Sequence, residues 1–177
     1  EVGYAIIAVG IIAVIFSFWK LYSLYITGAA VRKQMNSKAA DIANPLGRVL
    51  KVGNDNFNKD IDTLELKLAE AIMAERPAID SGIGFIKIIS VIAPLAGLLG
   101  TVTGMIVTFQ MITLYGTGDP KLMAGGISQA LVTTVLGLLV AIPTSLLHSF
   151  TQSSARGIIG ILEEQSTGIL AERAETK

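Results

Sequence analysis

No Asp, Glu, Lys or Arg occurs between residues 88 and 118, and none occurs between residues 122 and 155. About 20 apolar residues suffice to cross a bilayer, so each stretch is long enough to span one. Both are interrupted by Gly, Thr and Ser at helical spacing. Membrane helices carry such residues where they pack closely on other helices or border something polar. The pattern points to a channel or motor subunit and away from a soluble enzyme.

Charged residues make up 16% of the chain, against roughly 25% in an average soluble domain. A third uncharged segment, residues 2–19, adds to the deficit. Its length fits a signal peptide, but no basic region precedes it and no small-x-small site follows. Phe18, Trp19 and Lys20 read instead as an interfacial anchor at the end of a transmembrane helix. The chain opens on Glu1 rather than Met, as a cut or processed N-terminus would. Of 14 Lys and Arg, ten lie between Lys20 and Lys87. The positive-inside rule places that middle segment and the C-terminus in the cytoplasm, with the N-terminus and the second turn outside. Net charge is zero, which gives no reason to expect nucleic acid, and the absence of Cys excludes disulfides and thiolate metal sites.

The expected architecture is all-α with three transmembrane helices. Residues 1–34 form the first span and its cytoplasmic extension, and 35–82 a small helical cytoplasmic segment. Residues 83–115 form the second span, 116–120 an outer turn, and 121–177 the third span with its tail. The last two spans are very long and form an antiparallel hairpin. Within the middle segment, Asn44-Pro45 starts one short helix, and residues 53–58 read as a turn. A second helix begins near Asp60 with Ile61, Leu64 and Leu68 on one side, and Pro77 is expected to end it.

In the second span Pro94, Gly97, Thr101, Gly104 and Thr108 recur at steps of three and four, with Gly100 beside them. In the third, Ala130, Thr134, Gly137, Ala141 and Thr144 do the same, near Gln129 and Thr133. Such stripes serve close helix packing, and Thr often bonds its own backbone; two matched stripes also allow parts of both to border a wet pore. Pro94 and Pro143 each delete a backbone donor, leaving either a static bend or a hinge. Gln129 is polar but cannot titrate, and His148, the sole histidine, reads as interfacial.

The missing residues narrow the function. No span holds a carboxylate, no intramembrane Ser-His or Asp pair suits a protease, and no Gly-rich loop ends in Gly-Lys-Ser or Gly-Lys-Thr. Hence no catalytic residue, metal site or cofactor is expected. If protons cross here, a partner must bring the titrating group.

Two motifs carry a family resemblance. The run Ala93-Pro94-Leu95-Ala96-Gly97-Leu98-Leu99-Gly100-Thr101-Val102-Thr103-Gly104 resembles the second-span motif of the MotA/TolQ/ExbB proton-channel family. Residues 126–138, from Gly126-Ile127-Ser128-Gln129 through Thr133-Thr134 to Gly137-Leu138, then Ala141-Ile142-Pro143, resemble the third-span motif. The ExbB branch of TonB systems, especially the TtpC-like form, is the nearest match, with TolQ close behind; MotA has four spans. The resemblance implies a homo-oligomeric ring, five copies by family pattern, in the bacterial inner membrane. It would enclose an ExbD-like single-span partner that supplies a membrane Asp, and would drive a TonB-like protein in nutrient uptake such as that of iron chelates. It makes Thr101 and Thr134 the pore threonines. Many relatives carry Glu where Gln129 stands, which weakens any role for a ring carboxylate. A non-conducting scaffold and an autonomous pore are the competing classes.

Overall fold

The computed structural model describes residues 2–37, 39–116 and 120–176. The described residues form five helices and no strand: α1 (Val2–Met35), α2 (Pro45–Asn56), α3 (Ile61–Asp80), α4 (Ile83–Tyr115) and α5 (Pro120–Glu175). Three stretches, Gly3–Met35, Ile83–Leu114 and Met123–Glu175, are long and apolar enough to cross a membrane. The chain is an all-α membrane protein. The expected outer turn falls mostly on residues 117–119, which lie outside the described set; Gly116 before them has φ +74°.

Two local expectations are corrected. Pro77 does not end α3, which continues to Asp80. Proline costs a helix one backbone bond, but Ile79 beyond it is buried, and Lys20 Nζ donates to the Ala78 carbonyl at 3.3 Å. Burial and that cap outweigh the lost bond. The turn expected over 53–58 is helical through Asn56. Gly53 is there for packing, not for bending: a Cβ on it would stand 2.8 Å from Ile169 and 3.3 Å from Leu68.

The chain divides into two compact units. One comprises Glu1–Trp19 with Gly84–Ser149, and the other Lys20–Ile83 with Phe150–Lys177. The second unit has a conventional apolar core. Leu24 and Val31 of α1, Leu46 and Val49 of α2, Leu64, Leu68 and Ile72 of α3, and Ala155, Ile158 and Leu162 of α5 are buried together. In water, each such large side chain contributes about 1.5–3 kcal/mol on burial.

Helix starts in this unit are capped. Asn44 accepts from the Gly47 N–H at 2.8 Å with Pro45 in the first turn, and Asp60 accepts from the Thr63 N–H at 2.9 Å. That bond holds the Asp60 carboxyl below its usual range. Gly47 lies so tightly against the Asp41 carbonyl that no side chain fits. Arg48 makes a two-point ion pair with Glu75 at 2.6 and 2.7 Å, which raises the guanidinium pKa chiefly through that hydrogen bond. Arg76 pairs with Glu163 at 2.8 Å.

Candidate functional site: the hairpin seam of α4 and α5

In the first unit α4 and α5 meet along a seam with almost no side chain in it. A Cβ on Gly97 would lie 2.9 Å from the Thr133 carbonyl and 3.3 Å from the Gly137 Cα. One on Gly137 would lie 2.7 Å from the Ala93 carbonyl and 3.0 Å from the Gly97 Cα. Further along, Gly100 faces Thr133, Gly104 faces Ala130 and Thr108 faces Gly126. As α4 advances, α5 retreats by matching steps, so the pair is antiparallel. Lipid tails are as apolar as Leu, so burying Leu drives no association here; small residues let the backbones approach instead.

The hydroxyls are largely committed. Thr101 donates to the Leu98 carbonyl at 2.6 Å, Thr108 to Gly104 at 2.9 Å and Thr144 to Val140 at 2.7 Å, each within its own helix. Thr133 donates to Ala130 at 2.6 Å and also reaches the Gly97 carbonyl at 3.3 Å. Thr134 donates across the seam to that same carbonyl at 3.3 Å. A hydroxyl that has given its proton keeps an oxygen able to accept.

The candidate residues separate into groups. Gly97, Gly100, Gly104, Gly137, Thr108 and Thr133 belong to the seam; Thr144 is also buried. Thr101 and Thr134 are half-buried at its edge. In an antiparallel pair, positions one step round from the contact line in the same sense emerge on the same side, and both threonines take that step. On the other side, Gly100 and Thr133 border a cavity of about 560 Å³ that α1 completes with Gly3, Tyr4 and Ile7. Gln129 lines this cavity, while Thr101 and Thr134 do not. Pro94 is half-buried and Pro143 exposed, and α4 and α5 continue through them.

One element was missed from sequence. On α1, Gly10, Ala13 and Ser17 are buried at steps of three and four, with Gly10 pressed on Val140 and Gly3 near Leu136. This small-residue stripe mirrors those of α4 and α5. Phe16 adds an edge-on contact with Phe85 at 5.4 Å between ring centres. The described residues hold no cluster of His, Cys, Asp or Glu suited to a metal.

Three apolar spans, with glycines where α4 meets α5 and hydroxyls at the edge of that contact, describe a multi-pass membrane protein. Residues 41–164 match the MotA/TolQ/ExbB proton channel family, and the chain belongs to it. An ExbB-like biopolymer transport protein of Synechocystis is 29% identical over 93% of this chain and 84% of its own length. An ExbB homologue of Methanothermobacter thermautotrophicus is 36% identical over 60% of this chain, and the biopolymer transport protein exbB1 of Vibrio cholerae 40% over 55%. Those two alignments span 38% and 42% of the relatives' own lengths.

Proposed function

We propose that this chain is an ExbB-like subunit of a proton-driven motor of the bacterial inner membrane, not an enzyme. In this reading several copies, five by family pattern, form a ring around ExbD-like helices whose membrane Asp supplies the missing acid. The N-terminus lies in the periplasm and the C-terminus in the cytoplasm, and the movement energises a TonB-like protein. The observation that carries the reading is the placement of Thr101 and Thr134. Both edge the seam on the side away from the α1 cavity, in spans without a carboxylate.

The hydrogen bonding refines the mechanism. Because the Thr101 and Thr134 protons go to carbonyls, the free function of each oxygen is to accept. A neutral carboxylic acid can donate to such an oxygen; a carboxylate cannot. A bare charge at mid-membrane costs on the order of 3 kcal/mol. The surface therefore favours passage of the partner's acid in its protonated form, which leaves the guest helix free to move along an otherwise apolar wall.

The shared Gly97 carbonyl favours a second reading, in which Thr133 and Thr134 only staple the hairpin of a non-conducting scaffold. Thr101 separates the two, since its hydroxyl bonds within its own helix. Thr101→Val is expected to keep the oligomer, read by intact-complex mass, and to abolish siderophore-dependent growth. Normal growth would end the motor role of Thr101. Thr134→Val is expected to behave alike; loss of the oligomer there would favour the staple. Proton flux in liposomes should require the co-purified partner, and flux from this chain alone would instead mark an autonomous pore. TolQ-like duty shares this geometry and is distinguished by which partner co-purifies.

A further inference from the structure

The second unit holds a groove of about 870 Å³ between residues 21–32 of α1 and 150–161 of α5. Its walls include Leu21, Leu24 and Ile161, and its polar groups are Tyr25, Arg32, Ser153 and Ser154. Gly28 and Gly157 keep it open: a Cβ on Gly157 would meet nothing within 4 Å, and one on Gly28 only Ile158 at 3.8 Å.

Three features of the polar groups stand together. Arg32, like Arg156 and Arg173, makes no ion pair with any described residue, whereas Arg48 and Arg76 each hold a glutamate. The Ser153 and Ser154 hydroxyls make no hydrogen bond with described residues, as is also true of Ser145 and Ser149 earlier on the same helix. The Tyr25 phenol is free and 73% exposed.

The groove also lies at a membrane-surface level of α1. Trp19, Tyr22 and Tyr25 are exposed along this stretch of α1, the girdle that marks an interface. Side chains on a helix lean toward its N-terminus, which tilts Arg32 back toward Tyr25. A cation, two free hydroxyls and a phenol above an apolar trough match a phosphodiester with an acyl chain.

We propose that this groove binds an anionic phospholipid, its phosphate on Arg32 and the two serines and its chain along Leu21 and Leu24. The orientation given above makes this the cytoplasmic leaflet, but binding does not depend on it. The full chain is to be embedded in nanodiscs of phosphatidylcholine with one quarter phosphatidylglycerol and released for native mass spectrometry. Wild type is expected to retain phosphatidylglycerol in excess of its share. Arg32→Gln should cut that excess roughly fivefold, and Ser153→Ala with Ser154→Ala should cut it less. Lys33→Gln, an exposed neighbour outside the groove, should leave it unchanged, and inorganic phosphate should not compete.

Equal losses in Arg32→Gln and Lys33→Gln would reduce the effect to general basic attraction and overturn the site. No preference for phosphatidylglycerol in wild type would do the same. A bound second copy or peptide that Arg32→Gln releases, with no lipid preference, would give the groove to a protein contact and overturn the lipid assignment. A wild type that keeps the lipid without forming a ring would end the motor reading and leave this one standing.

Discussion

The two units are both helix bundles, yet opposite residue types hold them. In the second, Leu, Ile and Val fill the centre, while ion pairs and caps secure the helix surfaces. In the first, glycines occupy the contact line and large apolar residues such as Leu99, Val102 and Leu139 point outward. The solvent explains the reversal. Water rewards removal of apolar surface, whereas lipid is indifferent to it, so close backbone approach takes over.

Substitutions can break or sharpen this contrast. The largest effect is expected from Gly137→Leu, whose side chain would have to displace the Ala93 and Gly97 backbone. The hairpin should fail to form, seen as loss of folded chain in detergent. Leu99→Ala, on the outward face of the same span, should be close to neutral. In the second unit the order inverts: Leu68→Ala, fully enclosed, should cost about 2–5 kcal/mol in a denaturation series. Equal costs at Leu99 and Leu68 would erase the distinction between the units.

Smaller effects follow. Thr133→Val removes a bond to Gly97 but keeps the shape, and about 0.6 kcal/mol is expected from such intramembrane bonds. Acid titration should show the least. The Asp60 carboxyl has a depressed pKa when folded, so its support for α3 is complete above the unfolded carboxylate value. That support is lost as pH falls through the folded value. The protection factors of the Thr63 and Leu64 amides, taken against the intrinsic exchange rate at each pH, should fall in acid, and Asp60→Asn, still a cap, should abolish that fall.

Much of this fold is legible in the sequence because long uncharged runs leave few alternatives. The three spans and the pairing of α4 with α5 follow from run length and from stripes of small residues. Local signals failed where distant burial overruled them, as at Pro77 and Gly53. The stripe of Gly10, Ala13 and Ser17 carries no separate signal in sequence, because length and flanking residues alone already account for the first span. Periodicity placed Thr101 and Thr134 on polar faces, but it could not show that one hydroxyl stays on its own helix while the other crosses to Gly97. That depends on how far apart the two backbones lie, which no single-helix pattern encodes.

In the second unit, Glu75, Arg76 and the Ala78 carbonyl reach α2, α5 and α1 in turn. Three connections thus leave one short stretch of α3. One residue inserted between Ile72 and Glu75 would swing that stretch through about 100° relative to Leu64 and Leu68 and sever them all. The same insertion among residues 57–59 would leave each intact. Length variation among descendants of this chain should therefore gather in that loop and spare the final turns of α3.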